Sequence, residues 1–152
     1  MVGILILTHG GLAEELLAAA KTIAGDLEGF EALALSWVDS IDEVEAQVGA
    51  ALERLDHGDG VLVLTDVFGG TPSNVAKRFQ EVRQIEAVAG VNLPMVLRLG
   101  CLSKQANGHS MSLSELASWI RDKGRESICS ESVTTVKAKK KAAKKVESIS
   151  DR

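Results

Sequence analysis

Two stretches of the sequence each place a chemically active side chain between an apolar run and two glycines. In residues 2–17 the apolar run leads to His9, and in residues 61–76 a second run ends on Asp66. An aspartate that accepts a hydrogen bond from one imidazole nitrogen fixes the histidine tautomer and leaves the lone pair on the other nitrogen. Such a pair predicts an activated nucleophile, provided that the fold brings the two side chains together.

The glycines that follow these side chains indicate that the electrophile is an anion. Gly10 and Gly11 allow close approach of the backbone and leave the first N–H groups of the next helix facing a ligand. A second glycine pair precedes another helix, for which Thr71 is the predicted N-cap and Pro72 the first helical residue. Because helix amino ends favour negative charge, we expect a phosphoryl group at this site.

Strands that alternate with helices must position these groups. Apolar runs predict four strands, and two Ser-x-x-Glu capping boxes predict helix starts at Ser40 and Ser112. This order predicts an α/β fold with an open, mainly parallel four-stranded sheet and helices on both faces. A strand order of 2-1-3-4 would make strands one and three neighbours, and would bring His9 and Asp66 together where such sheets bind ligands. The predicted strands cover residues 2–7, 33–37, 61–65 and 85–89.

Glycines and prolines predict where the helices begin and end. Gly25 and Gly124 are predicted to end the first and last helices, and Pro94 lies near the start of the fourth. His57 and His109 fall in polar turns, so we expect both to be solvated loop residues.

Composition narrows the class of protein. The 152 residues suffice for one domain, and 3% aromatic residues with no Tyr argue against a nucleic-acid surface. Cys101 and Cys129 do not have the spacing of metal ligands. No apolar run reaches membrane-spanning length, so we expect a cytoplasmic protein without membrane insertion. Residues 136–152 carry seven basic and two acidic side chains, which leaves ten basic and nineteen acidic in residues 1–135.

The site predicts neither a cofactor nor a metal. The sequence contains neither GxxxxGK[ST] nor GxGxxG, and no second carboxylate or histidine cluster accompanies His9 to bind Mg²⁺ or Zn²⁺. We therefore expect the phosphoryl donor to be a phosphorylated protein rather than a nucleotide bound here.

Four motifs carry a family resemblance over residues 1–130. ILTHGGLAEELL, DVFGGTPSNVA, AGVNLPM and KGRE occur in that order and resemble the enzyme IIA domain of the mannose-type (mannose/fructose/sorbose) bacterial sugar phosphotransferase system. The resemblance implies a phosphotransferase component with a phosphohistidine intermediate. His9 would carry the phosphoryl group and Asp66 would hydrogen-bond it. The implied phosphate pocket includes Gly69, Gly70 and Thr71.

The resemblance also implies partners. The donor would be the histidine phosphocarrier protein and the acceptor a IIB component. The family is homodimeric, with an exchanged fifth strand for which residues 127–136 are the candidate. Mannose-type chains are often fused to a IIB domain with a second histidine, for which this chain has no room, so the acceptor would be a separate protein.

Two further functions stay open at this point. The chain could be a regulatory IIA-like protein whose His9 phosphorylation state controls the binding of a target. It could also be an enzyme that uses His9 as a base on a small anion. Residues 1–135 are the predicted IIA domain and residues 136–152 a flexible Lys-rich tail, either a solvated appendage or a segment that binds a partner or membrane surface.

Overall fold

A computed structural model describes residues 1–36, 38–105 and 111–130. Four strands alternate with four helices, and a fifth helix follows. The elements are β1 (Gly3–His9), α1 (Leu12–Ala24), β2 (Phe30–Leu35), α2 (Ile41–Leu55), β3 (Val61–Thr65), α3 (Thr71–Gln80), β4 (Ile85–Ala89), α4 (Leu93–Ser103) and α5 (Leu113–Glu126).

The four strands form one parallel sheet in the order β2-β1-β3-β4. This confirms the predicted α/β fold and strand order. In the register of β1 and β3, Leu7 lies opposite Thr65, so the two strands end almost level. The first residues beyond them therefore emerge at the same edge, which we call the carboxyl end of the sheet.

The two faces of β1 explain why its sequence is apolar without alternation. Leu5 and Leu7 pack into one core with α2 and α3, whereas Ile4 and Ile6 pack against α1, α4 and α5 on the other face. All four are buried. Each such side chain contributes about 1.5–3 kcal/mol when removed from water, and this burial holds β1 in register between its neighbours.

A glycine allows α2 to approach the start of β1. A Cβ added at Gly3 would lie 2.6 Å from the carbonyl oxygen of Leu55, which no side chain tolerates without movement of the backbone. Both predicted capping boxes are present, with Ser40 accepting from the Glu43 N–H and Ser112 from the Glu115 N–H.

Two predicted helix boundaries were wrong. Gly70, not Thr71, is the N-cap of α3, so that Thr71 is its first residue and Pro72 follows; the Gly70 carbonyl accepts from the Asn74 N–H at 2.9 Å. Gly124 does not end α5, which continues to Glu126.

The glycine at position 124 has a packing role instead. A Cβ there would lie 2.6 Å from Sδ of Met95, so the absent side chain lets α5 approach α4. In contrast, Gly25 does end α1, with a φ of 77°.

The second strand also differs from its prediction. It begins at Phe30, earlier than the alternating residues, because its pairing with β1 starts at Ile4.

Trp37, His109 and the Lys-rich residues 136–152 lie outside the described residues. Residues 127–130 form no strand, and the remainder of the candidate fifth strand lies outside the described part of the chain. Within the described residues, no helix has the length and hydropathy needed to cross a bilayer.

Candidate functional site

The carboxyl end of the sheet brings His9 and Asp66 into direct contact. Nδ1 of His9 lies 2.8 Å from Oδ2 of Asp66, and the same oxygen accepts the backbone N–H of His9 at 3.0 Å. The other carboxylate oxygen accepts the Val67 N–H at 2.9 Å. The carboxylate is therefore held on both sides, and it in turn fixes the orientation of the imidazole.

The electrostatics of the pair favour an ionised Asp66. Its side chain is only 12% exposed, and this burial acts to raise the pKa. Hydrogen bonds from the His9 backbone, the His9 ring and the Val67 backbone outweigh burial, so that the pKa of Asp66 lies below its ordinary value. An ionised carboxylate only accepts hydrogen bonds, so neutral His9 carries its hydrogen on Nδ1 and its lone pair on Nε2.

The amino end of α3 lies against the imidazole of His9. A Cβ built on Gly70 would lie 2.9 Å from Cε1 and 3.5 Å from Nε2 of His9. Because the first-turn N–H groups of a helix have no acceptor within the helix, they and the helix dipole favour an anion at this position. Nε2 thus lies beside a backbone region suited to phosphoryl oxygens.

The amino end of α1 is tied to the same loop by a residue that sequence reasoning missed. Thr8 is fully buried, and its hydroxyl accepts the Ala13 N–H at 2.8 Å. Gly10, with a φ of 54°, makes the turn that this contact closes. The sequence feature that could have indicated this role of Thr8 is its position as a hydroxyl residue at the end of an otherwise apolar run.

A depression of about 200 Å³ lies beside His9. It contains Thr71, one of the predicted pocket residues, and also Ser36 and Asp39 from the β2–α2 loop, which sequence reasoning did not identify. Gly10, Gly11 and Gly69 do not line it; each would have open space around an added Cβ. The full lining is His9, Leu35, Ser36, Asp39, Ile41, Val44 and Thr71.

The described residues include no group of three His, Cys, Asp or Glu side chains that could hold a metal ion. A second depression, of about 190 Å³, lies at the amino end of the sheet between β1, α4 and α5, and contains neither His9 nor Asp66.

Comparison with known proteins assigns the chain to a family. Residues 3–116 match the family described as "PTS system fructose IIA component", where PTS denotes the phosphotransferase system. The chain belongs to this mannose-type IIA family. The assignment confirms the resemblance carried by the four sequence motifs.

Individual relatives agree with the family. The PTS system mannose-specific EIIAB component of Escherichia coli (strain K12) is 33% identical over an alignment 133 residues long that covers 84% of this chain and 38% of that protein. The PTS system fructose-specific EIIA component of Bacillus subtilis (strain 168) is 29% identical over an alignment 140 residues long that covers 90% of this chain and 92% of that protein. This chain thus spans well under half of the first relative but nearly all of the second.

A solved structure matches the fold. The mannose/sorbose-specific IIA subunit from Enterococcus faecalis superposes with a TM-score of 0.75 at 27% identity, and covers 87% of this chain and 96% of that subunit. The family and the fold agree, and the chain belongs to the mannose-type IIA components of the PTS.

Proposed function

We propose that His9 accepts a phosphoryl group from the phosphorylated histidine phosphocarrier protein and passes it to a separate IIB protein. The observation that carries this proposal is the 2.8 Å contact between Nδ1 of His9 and Oδ2 of Asp66. This contact supports a hydrogen on Nδ1, which leaves the lone pair on Nε2, beside the amino end of α3, as the proposed nucleophile.

In the proposed step, Nε2 of His9 forms a bond to phosphorus of the donor's phosphohistidine. The donor's P–N bond breaks, and its electron pair returns to the donor imidazole. The imidazole of His9 gains positive character as the new bond forms, and the ionised Asp66 stabilises it through the hydrogen on Nδ1. Transfer to the IIB protein repeats the exchange with His9 as the leaving group.

Asp66 also repels the incoming phosphate, and the backbone must offset that repulsion. The helix dipoles contribute up to about 2 kcal/mol each in partly buried geometry. Hydrogen bonds from backbone N–H groups to a charged acceptor contribute roughly 1.5–3 kcal/mol each. In this proposal the phosphate pocket is formed by the two glycine loops, Gly10–Gly11 and Gly69–Gly70, with Thr71. The N–H groups of Gly10 and Gly70 donate to the carbonyls of Leu35 at 3.2 Å and Val67 at 3.3 Å, so the proposed donors to the phosphate are the N–H groups of Gly11 and Gly69 and the Thr71 hydroxyl.

The position of the phosphoryl group is tested by transfer from the labelled phosphocarrier. We expect an acid-labile, base-stable label on the wild-type chain and none on His9→Ala. His57→Ala is the matched control, because His57 is exposed in the turn before β3 at the other end of the sheet. A label that persists in His9→Ala would refute the proposal.

The role of Asp66 is tested by the rate of the same transfer. In Asp66→Asn the amide oxygen can still accept from His9, but a bond to a neutral acceptor contributes about 1–1.5 kcal/mol less than one to a carboxylate. This loss slows transfer about 5- to 13-fold. Asp26→Asn, at an exposed position between α1 and β2, should retain the wild-type rate. Wild-type transfer in Asp66→Asn would remove Asp66 from the mechanism.

A further inference from the structure

The two helices that begin beside His9 lack the side-chain caps with which the other three helices begin. At α2, α4 and α5 the side chain of the N-cap residue accepts the N–H of the third helical residue. These N-caps are Ser40, Asn92 and Ser112. The N-caps of α1 and α3 are Gly11 and Gly70, which have no side chain to do so. A capping side chain would cover the helix amino ends beside His9, so glycine keeps this position open to a ligand.

The first glycine loop is instead held by a side chain from the strand that precedes it. The Thr8 hydroxyl accepts the Ala13 N–H at 2.8 Å. Both residues are fully buried, so water cannot take the place of either partner. The bond closes residues 8–13 around Gly11, and it thereby restricts the direction of the Gly11 N–H.

The second glycine loop is held by Asn74, in the first turn of α3. The side-chain amide of Asn74 donates to the carbonyl of Gly69 at 3.1 Å, and the Gly70 N–H donates to the Val67 carbonyl at 3.3 Å. Residues 67–70 thus form a turn in which Gly69 has a φ of 79°, a conformation that other residues rarely adopt. Because its carbonyl is bound, Gly69 cannot rotate freely, and the direction of its N–H is restricted as well.

We propose that Thr8 and Asn74 are positioning residues for phosphoryl transfer. Neither side chain lines the depression beside His9. Each acts through the glycine loop that it holds, by directing the N–H of Gly11 or Gly69 toward the oxygens of a phosphoryl group on Nε2. This inference rests on the proposed function, which places the phosphoryl group on His9.

Glycine loops need such contacts because their backbone is otherwise free to move. A glycine loses more conformational freedom on folding than any other residue. Hydrogen-bond donors stabilise a transition state most when they are oriented before the reaction and need no rearrangement during it. Bonds made by Thr8 and Asn74 order the loops in advance and leave the N–H groups of Gly11 and Gly69 for the ligand.

The role of Thr8 is tested by two variants with different chemistry at the same position. Thr8→Val keeps the shape of the side chain but removes the hydroxyl, whereas Thr8→Ser keeps the hydroxyl. A misplacement of about 1 Å can cost on the order of 10²-fold in rate, so we expect partial loosening in Thr8→Val to slow saturating transfer from the phosphocarrier about tenfold. The phosphocarrier concentration at half-maximal rate should not change, because the buried Thr8 cannot contact a docked protein. Thr8→Ser should restore most of the rate.

The role of Asn74 is tested by Asn74→Ala, which removes the bond to Gly69 and should also slow saturating transfer about tenfold. Asn74 is exposed, so this variant should fold even if Thr8→Val, which leaves a buried N–H without an acceptor, does not. The matched control is Gln80→Ala. The side-chain amide of Gln80 donates to the Ile85 carbonyl at 3.5 Å from the other end of the same helix, and its loss should leave transfer unchanged.

A spectroscopic signature separates positioning from a general loss of stability. The phosphorus NMR shift of phosphorylated His9 depends on hydrogen bonds to the phosphoryl oxygens. It should therefore change in Thr8→Val and Asn74→Ala. It should keep the wild-type value in Gln80→Ala and in Ser112→Ala, which removes a helix cap at the opposite end of the sheet.

The outcomes distinguish this inference from the proposed function. Wild-type saturating transfer in Thr8→Val or Asn74→Ala, or equal slowing in the two controls, would overturn the positioning roles while the wild-type chain is still phosphorylated on His9. A wild-type chain that accepts no phosphoryl group would refute the proposed function and this inference with it.

Discussion

Gly70→Ala should impair phosphoryl transfer because the new methyl group would occupy space next to the His9 ring. The added Cβ would lie 2.9 Å from Cε1 of His9. Carbon atoms in favourable contact are about 3.5–4.0 Å apart, so the ring or the loop must move by roughly 0.6–1.1 Å. That movement would disturb the 2.8 Å contact with Asp66 and shift Nε2 relative to the amino end of α3.

The size of the effect follows from this displacement. A misplacement of about 1 Å can cost on the order of 10²-fold in rate, so we expect transfer to slow by about 10- to 100-fold. The fold should persist, because Gly70 has a φ of −73°, which alanine adopts without strain. Alanine is a poorer N-cap than glycine, and we expect a loss of about 0.5–1 kcal/mol in the free energy of unfolding.

Rapid-quench measurement of the first transfer from the labelled phosphocarrier tests this prediction, together with urea unfolding of each variant. Gly49→Ala, in the interior of α2, is the matched control, since its Cβ would meet Phe79 of α3 at an ordinary 3.6 Å. That variant should transfer at the wild-type rate and gain about 0.8–1.0 kcal/mol in stability. Wild-type transfer in Gly70→Ala, with unchanged NMR shifts of the His9 ring, would refute the steric reasoning.

Three further predictions concern stability, each measured by urea unfolding. Above the ordinary aspartate pKa of about 3.9, ionised Asp66 should contribute fully to the stability of the folded chain, and this contribution should be lost as pH falls through the lowered pKa of Asp66 in the folded state. The difference in the free energy of unfolding between the wild-type chain and Asp66→Asn should therefore become smaller in acid. A difference that stays constant with pH would contradict this prediction. Gly3→Ala should lose about 1–3 kcal/mol because its Cβ would clash with the Leu55 carbonyl, so an unchanged midpoint would count against that packing. Ser112→Ala should lose about 0.5–2 kcal/mol through its helix cap while His9 is phosphorylated at the wild-type rate.

Local patterns in the sequence were sufficient to predict most of the fold. Burial on both faces makes β1 apolar up to Leu7 and β3 apolar up to Leu64, so both strands were recognisable without knowledge of their neighbours. The capping boxes at Ser40 and Ser112 involve residues three apart, and their geometry depends little on the rest of the chain. The sequence also placed His9 and Asp66 directly at strand ends, where the strand order made them neighbours.

Contacts between distant segments decided the remainder. Gly124 suggested a helix end by its type alone, but its role depends on Met95 in another helix. Gly70 suggested a turn, yet it is also the surface against which the His9 ring packs, 61 positions away along the chain. Ser36 and Asp39 carry no motif and join the depression beside His9 only because β2 pairs with β1. Sequence patterns thus determined which elements form, since those depend on neighbours within a few residues, and tertiary packing alone determined which atoms surround the imidazole.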